Sequence, residues 1–351
     1  MNKQSVPWVD KYRPNRIDNI VHQKELMRTL KNIVQTGEMP HLLFYGPPGT
    51  GKTTTILALA NELFGSNKIK ERILELNASD DRGINVVRND IITFAKLAIG
   101  DDDPKFETST TKKNAICPSF KILILDEADA MTPDAQSALR KVMEETSTVT
   151  RFCLICNYVD KIIEPIISRC MQYRFMPISS ESMVQRLKLI AHKERINLEN
   201  EIYDVITDVV DGDLRKGIML LQNIKYLERT TNERHDKKII VISDVYDLVG
   251  HAPNDIVKTI ITKCANGNVK DVMKIGKEFY ALGYSTNIIC SQMCKIIVND
   301  ETMDENIKSN ILKEISNIQC LLNDRSDECI QFVKLLVLIN TNFKRTKKRI
   351  T

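Results

Sequence analysis

The sequence predicts an α/β domain with a parallel sheet, followed by a long helical region. Over residues 1–175, short apolar runs alternate with segments whose apolar residues repeat at helical spacing, which is typical of a doubly wound sheet. A glycine-rich loop at 46–53 stands between one such run and one such segment. After about residue 178 the strand-like runs largely stop, which predicts a chain that ends in helices.

Five short apolar runs are predicted to be strands, because their length and composition are those of buried parallel strands. They are residues 41–45, 73–76, 121–126, 151–156 and 171–175. Apolar spacing over 26–34 predicts a helix that stops at Gly37. Pro133, with Thr132 as its cap, predicts the start of another helix.

The second half of the chain predicts helices throughout. Residues 180–230 indicate a few short helices, and residues 240–345 indicate five or six longer ones. A polar, patternless stretch at 101–114 predicts a loop or disordered insertion, and the charged residues 231–238 predict a linker. The expected domains are residues 1–175, 176–236 and 237–351.

Composition excludes several classes of protein. Lys and Arg number 50 and Asp and Glu 46, so a net charge of +4 excludes attraction of the whole surface to nucleic acid, and any basic site must be local. An apolar content of 42% excludes disorder of the whole chain. No apolar run approaches the ~18 residues of a membrane span, and the N-terminus lacks a signal core, so we expect neither membrane association nor secretion.

Cysteine usage predicts reduced thiols. The chain has nine cysteines, an odd number scattered through apolar segments, as expected of a protein of the cytosol or nucleus. Cys153 and Cys156 form a CxxC pair, but on a strand their side chains point to opposite faces. Burial is therefore favoured over the alternative of a zinc or redox site.

The strongest motif is the loop at 46–53, which reads GPPGTGKT. Glycines let backbone N–H groups close around phosphate oxygens, and the helix that follows adds a partial positive charge. Lys52 can then reach the β- and γ-phosphates, and the hydroxyl of Thr53 can bind Mg²⁺. The alternative is a glycine-rich structural turn, which the strand–loop–helix context disfavours.

The second motif is a pair of carboxylates, Asp126 and Glu127, at the end of the apolar run 121–125. Ligands of open α/β sheets bind at the carboxyl ends of the strands, so both acids are expected beside the loop. Asp126 is predicted to hold Mg²⁺ and Glu127 to act as the base for the attacking water. The alternative is an acid pair favoured only by a helix dipole. The two motifs together predict ATP hydrolysis.

Further segments resemble those of replication factor C small subunits, the clamp-loader proteins within the AAA+ ATPases. The resemblance covers about residues 5–230, whereas the C-terminal third agrees only in being helical and of suitable length. The polar insertion is longer than usual for that family, and His22-Gln23 stands where Gly-Gln is common. Besides the two motifs above, the matching segments are PWVDKYRP (7–14), NASDDRG (77–83), Asn157, Ser168-Arg169-Cys170 and Gly212-Asp213-Leu214-Arg215.

The resemblance implies an AAA+ domain, a small helical lid domain and an all-helical collar domain. It implies a nuclear protein that uses ATP and Mg²⁺ to load the sliding clamp onto primer–template DNA, in replication and repair. The implied partners are the other subunits of a hetero-pentamer, the clamp and the DNA.

The resemblance also implies roles for three residues at the nucleotide. Asn157 would position the attacking water as sensor 1, and Arg215 would contact the phosphates from the lid as sensor 2. Arg169 would be an arginine finger for the ATP of a neighbouring subunit. Taken alone, Asn157 also suits an ordinary strand-to-loop turn, and either arginine suits a solvated surface.

Two more sets of contacts are implied. Val9 and Val21 would contact adenine, with Arg13 beside them. Arg82 and Arg88 flank a helix start that would follow the DNA backbone, although both also suit ion pairing or solvation. The expected loop contacts to the nucleotide are Gly46, Pro47, Pro48, Gly49, Thr50, Gly51, Lys52, Thr53 and Thr54.

Two alternative functions remain open. The first is a structural subunit whose chief contribution is Arg169, offered to a neighbour. The second is another AAA+ machine that remodels DNA or protein, which the box at 7–14 and the motif at 168–170 disfavour. The letters DEAD at 126–129 invite assignment as a DEAD-box helicase, but the companion motifs of that class are missing from the sequence.

Overall fold

A computed structural model describes residues 6–20, 24–78, 91–95, 118–232 and 240–350. The chain divides into two compact units, residues 1–222 and 223–351. The expected domain boundaries after residues 175 and 236 stay a prediction.

The first unit is built on a parallel sheet of five strands in the order β2-β3-β4-β1-β5. The five predicted strands are confirmed. They are β1 (Leu42–Tyr45), β2 (Ile73–Asn77), β3 (Lys121–Asp126), β4 (Thr150–Cys156) and β5 (Met171–Arg174).

Only the central strands are buried as predicted. β3 and β4 are buried over nearly their whole length, and so is β1 up to its last residue. The expectation of burial was wrong for β2 and β5, where Met171 is 46% exposed. These two strands form the edges of the sheet, so each packs against one neighbouring strand only.

Helices cover both faces of the sheet, which makes the domain doubly wound. One face packs against the helices over 24–36 and 52–72 around Leu30, Leu59 and Cys153, and the other packs against the helix over 133–145 around Leu139 and Cys156. The two cysteines therefore point to opposite faces, as predicted. The helices of this part are α1 (Trp8–Lys11), α2 (Lys24–Thr36), α3 (Lys52–Arg72), residues 91–95 (α4), α5 (Pro133–Glu145) and α6 (Glu164–Ile167).

Local signals set the ends of two of these helices. α5 begins where expected, because the hydroxyl of Thr132 accepts the N–H of Ala135 at 3.3 Å. α2 stops before Gly37, whose φ is 70°. α3 is interrupted at Gly65, which has non-helical dihedral angles.

Three helices follow the sheet: α7 (Ser180–Glu194), α8 (Asn200–Val210) and α9 (Leu214–Asn232).

The second unit is helical around a core of its own, in which Ile311, Ile315 and Leu336 are fully buried. Its helices confirm the predicted helical C-terminal third. No helix in the described part of the chain is long and apolar enough to cross a membrane. These helices are α10 (Ile242–Val249), α11 (Asn254–Asn266), α12 (Val269–Tyr280), α13 (Thr286–Asn299), α14 (Glu305–Asn323) and α15 (Glu328–Ile350).

Candidate nucleotide site

The glycine-rich loop connects β1 to α3 in tight contact with the chain around it. Gly46 has a φ of 143°, and a Cβ there would lie 2.2 Å from the carbonyl oxygen of Phe175. Gly49 has a φ of 71°, and a Cβ there would lie 1.7 Å from Oδ1 of Asp213. Only glycine fits both positions. The loop leads into the N-terminus of α3, where backbone N–H groups and the helix dipole favour an anion.

Lys52 joins this loop to the end of β4. Its side chain is buried, and Nζ donates to the carbonyl oxygens of Gly46 (2.7 Å) and Pro47 (2.9 Å) and to Oδ1 of Asn157 (2.9 Å). Burial lowers the pKa of Lys52, and the nearby Asp126 carboxylate opposes that shift. A phosphate oxygen would be a stronger partner for this ammonium group than the neutral oxygens that now accept from it.

Thr53 joins the start of α3 to the end of β3. Its hydroxyl donates to Oδ2 of Asp126 at 2.6 Å, and Oδ1 of the same carboxylate accepts the N–H of Glu127 at 2.9 Å. Glu127 has a φ of 54°, a left-handed conformation that is uncommon for a residue other than glycine. Its side chain is exposed just beyond the strand end. The loop and both predicted acids therefore meet at one edge of the sheet.

Asp129 holds the backbone at the end of β4. Its Oδ2 accepts the N–H groups of Asn157 and Tyr158, each at 3.3 Å. These contacts tie the chain after β3 to the chain after β4. They also place the amide of Asn157 where its oxygen accepts from Lys52.

A mainly apolar cavity opens beside the loop. It includes seven of the predicted nucleotide contacts: Val9, Arg13, Gly49, Thr50, Gly51, Thr54 and Arg215. Its other lining residues are Tyr12, Pro14, Asn19, Ile20, Ile178, Arg186, Leu214 and Ile218. An apolar cavity beside the glycine-rich loop suits the base of a nucleotide.

Arg169 lies just after α6 and contacts its own chain. Nη2 is 2.5 Å from Oε1 of Glu144, and Nη1 donates to the carbonyl oxygen of Pro165 at 2.7 Å. The side chain of Arg169 remains 38% exposed, as a residue that serves a neighbouring subunit would require.

The remaining predicted residues divide into two groups. In the loop, Pro47 and Pro48 are exposed, and the buried Thr50 donates from its hydroxyl to the carbonyl oxygen of Pro47 at 2.9 Å. The others lie outside the described residues: Val21, Arg82 and Arg88.

Comparison with known proteins identifies the family. A model described as "ATPase family associated with various cellular activities (AAA)" matches residues 42–178, and one described as "Replication factor C C-terminal domain" matches residues 252–337. Replication factor C subunit 2 of Schizosaccharomyces pombe is 42% identical over 339 residues, which cover 96% of this chain and 95% of that protein. The chain belongs to the replication factor C family. Replication factor C subunit 4 of Homo sapiens is 40% identical and covers 95% of this chain and 88% of its own length.

Membership confirms the resemblance seen in the sequence. This replication factor C chain is a clamp-loader small subunit and an AAA ATPase that binds nucleotide. Among solved structures, the Holliday junction branch migration motor RuvB of Thermotoga maritima superposes with a TM-score of 0.53 over 74% of this chain and 83% of its own. At 15% identity that likeness shows the fold alone, and it agrees with the predicted AAA+ architecture.

The donor set fits a magnesium ion bound together with a nucleotide. The hydroxyl of Thr53 and the carboxylate of Asp126 are hard oxygen ligands of the kind that Mg²⁺ prefers. Within the described ranges, no group of three or more His, Cys, Asp or Glu side chains is placed to hold a metal ion. Mg²⁺ commonly takes one or two protein ligands and completes its shell with phosphate oxygens and water, so a set of two is sufficient.

Sequence reasoning missed several residues at this site. Asp129 belongs to the DEAD letters and Tyr12 to the N-terminal box, so their motifs could have drawn attention to them. Asp213 stands two residues before the predicted site residue Arg215, but its approach to Gly49 depends on how the chain before α9 packs against the loop. Arg186 lies in an ordinary helical pattern, and no signal in the sequence marks it.

Proposed function

We propose that this subunit binds ATP with Mg²⁺ on the loop at 46–53 and hydrolyses it within a hetero-pentameric clamp loader in the nucleus. Binding and hydrolysis drive loading of the sliding clamp onto primer–template DNA, in replication and repair. The observation that carries the proposal is the pair of hydrogen bonds from Lys52 to Asn157 and from Thr53 to Asp126. They join four residues from three separate motifs at the edge of the sheet where ligands of such folds bind.

The proposed chemistry assigns one task to each group. Lys52 exchanges its carbonyl partners for β- and γ-phosphate oxygens. Thr53 and Asp126 would hold Mg²⁺, which would neutralise charge on the phosphates. Asn157 orients a water against the γ-phosphorus, and Glu127 accepts its proton as the new P–O bond forms. The bond from the γ-phosphorus to the bridging oxygen breaks, which leaves ADP and phosphate.

Other residues complete the proposed site. Val9, Val21 and Arg13 contact the base, and Arg215 contacts the phosphates from the lid. Arg169 reaches the ATP of the neighbouring subunit, where such a residue contributes about 10³–10⁵ in rate in other phosphoryl-transfer systems. Arg82 and Arg88 contact the DNA backbone.

The test is made in the reconstituted complex, with Lys52→Ala and Glu127→Gln compared in this subunit. We expect Lys52→Ala to reduce the nucleotide bound per assembly by one, because the phosphates lose their cation. We expect Glu127→Gln to retain that nucleotide but to slow its hydrolysis by about 10²–10⁴, the usual contribution of a general base. Nucleotide counting and ATPase assays with clamp and primed DNA measure both effects.

Two controls make the result decisive. Lys70→Ala removes an exposed lysine from the same helix and should leave both measurements unchanged. Arg169→Ala distinguishes the proposed function from the alternative of a structural subunit. If Arg169→Ala reduces the ATPase rate and Glu127→Gln does not, this subunit contributes only its arginine to the ATP site of a neighbour. Normal ATP-dependent clamp loading by the Lys52→Ala complex would contradict an active role for this site.

A further inference from the structure

The N-terminal segment, residues 6–20, is fixed to α3 through its second half. The N–H of Ile17 donates to Oε1 of Glu62 at 2.8 Å, and Nδ2 of Asn61 donates to the carbonyl oxygen of Asn15 at 2.9 Å. Ile17 is also 1% exposed within the core on that face of the sheet. This half therefore moves with the helix that begins at Lys52.

The first half of the segment is held by α7, which belongs to the proposed lid, residues 176–236. Nη2 of Arg186 donates to the carbonyl oxygen of Tyr12 at 2.8 Å. Nζ of Lys11 and the hydroxyl of Tyr12 both donate to Oε1 of Glu194, in the last turn of the same helix. Two side chains of α7 thus hold two consecutive residues of the segment.

A third contact reaches α9. The N–H of Trp8 donates to Oε1 of Gln222 at 3.0 Å, and Trp8 is 8% exposed. Trp8 also packs edge-on against Tyr12, with 6.2 Å between the ring centroids. The first half of the segment is therefore held between two lid helices.

The contacts of Arg186 and Tyr12 are partly sheltered from water, which strengthens them, whereas the side chain of Lys11 is 49% exposed. The side chain of Glu194 is 14% exposed, and Arg186 is half-buried. Burial lowers the pKa of Arg186, whereas Lys11 has a raised pKa chiefly because of its hydrogen bond to Glu194. Since hydrogen bonds that involve charged groups are the stronger kind, these should outweigh the neutral contacts of the segment.

The same residues form the wall of the nucleotide cavity. Val9, Tyr12 and Arg13 line it from the segment, and Ile178 and Arg186 line it from the lid. The cavity thus needs the segment and the lid together, whereas the loop at 46–53 leads straight from β1 to α3 within the sheet domain.

We infer that Arg186 and Glu194 are positioning residues that hold residues 8–13 against the lid and so build the part of the cavity that receives the nucleotide base. They set the affinity for the base. The inference rests on the proposed binding of ATP at this site.

The experiment compares two ligands on the full chain: ATP, and inorganic tripolyphosphate, which has no base. Each displaces a fluorescent ATP analogue. We expect Arg186→Ala to raise the Kd of ATP by about tenfold, which corresponds to about 1.4 kcal/mol, and to change the Kd of tripolyphosphate less than twofold. Arg186→Lys should recover part of the affinity for ATP, because an ammonium group can still donate to the carbonyl of Tyr12.

A second variant and a control guard against effects on folding. Glu194→Gln keeps an acceptor oxygen but loses the charge, so we expect a rise of about three- to fivefold in the Kd of ATP alone. Lys188→Ala removes an exposed cation from the same helix and should change neither Kd. Equal changes for both ligands, or no change for ATP, would overturn the inference. Failure of the unaltered chain to bind either ligand would overturn the proposed function, and this inference with it.

Discussion

Glu144 and Arg169 form an ion pair that bears on the proposed arginine finger. The carboxylate lies in the last turn of α5, and the guanidinium follows α6, so the pair joins these two elements. A carboxylate beside the guanidinium holds it on its own subunit and offsets part of its charge. Both side chains are about 40% exposed, so the pair is of the weak surface kind.

Replacement of Glu144 should release the finger. Exposed pairs contribute about 0.2–1 kcal/mol, so we expect Glu144→Gln to raise the unstimulated ATPase rate at the neighbouring site by about 1.4- to 5-fold. The rate with clamp and primed DNA should change little, since the finger is already engaged there. Steady-state ATPase assays on the reconstituted complex measure the ratio of stimulated to unstimulated rates.

Glu145→Gln, one residue along the same helix, is the matched control and should leave that ratio unchanged. A Glu144→Gln complex with a reduced unstimulated rate would show that the carboxylate orients the finger rather than restraining it.

At the residue scale, the sequence predicts what local chemistry requires. Lys52, Thr53 and Asp126 stand out because a phosphate loop and an acidic strand end each need particular residue types at a fixed spacing. The structure places Thr53 in contact with Asp126 and Lys52 close enough for that carboxylate to affect its pKa. Asp213 and Arg186 do not stand out, since their contacts arise only when separate elements pack together.

At the scale of elements, the starts of three strands meet at His41. Nδ1 of His41 accepts the N–H of Phe152 at 3.1 Å, and the two rings pack edge-on with centroids 5.4 Å apart. Its carbonyl oxygen accepts the N–H of Met171 at 2.8 Å, so the residue before β1 contacts both neighbouring strands. Burial, with a smaller effect of Arg151, lowers the pKa of His41 to about 4.

The lowered pKa predicts an acid-sensitive sheet. Between pH 6.5 and about 4, His41 binds a proton in the unfolded chain but not in the folded chain. The contribution of neutral His41 to the free energy of unfolding is therefore complete above pH 6.5 and falls as the pH drops toward 4. The loss should reach roughly 3 kcal/mol in the free energy of unfolding. Urea unfolding of the full chain between pH 7 and pH 5 measures the upper part of this decline.

His41→Gln keeps an acceptor near Phe152 but does not titrate, so its stability should decline less steeply over the same interval. His192→Gln, which replaces an exposed histidine at the end of α7, should decline as the unaltered chain does. Parallel declines in all three proteins would exclude His41 as the source.

Strand positions were predictable, whereas strand order was not. Short apolar runs between helical segments identify strands locally, as for 121–126, because burial in a parallel sheet leaves a continuous apolar pattern. The order β2-β3-β4-β1-β5 depends on which crossovers pack where, and no single segment encodes it. For the same reason the exposure of β2 and β5 could not be read from their residues.

At the scale of the whole molecule, charge is almost balanced. With 50 basic and 46 acidic residues, the net charge of +4 is too small for long-range attraction to dominate binding to DNA. Any salt-dependent binding must then arise from a few local contacts. The balanced charge distinguishes this chain from proteins whose whole surface is basic. It also makes the contribution of single arginines to DNA binding measurable.

The salt dependence of DNA binding tests the proposed backbone contacts of Arg82 and Arg88. Each phosphate contact contributes about 0.9 to the slope of log K against log salt on duplex DNA. The double substitution Arg82→Ala/Arg88→Ala should therefore reduce the slope by roughly 1.8. It should also weaken binding equally on unrelated DNA sequences. Titrations of the assembled complex with primed DNA at several salt concentrations measure it. Lys258→Ala/Lys270→Ala removes the same charge from exposed helix positions of the second unit and should leave the slope unchanged. Because the charge lost is equal, a slope that changes alike in both double variants would mean that net charge, rather than contact with phosphates, determines binding.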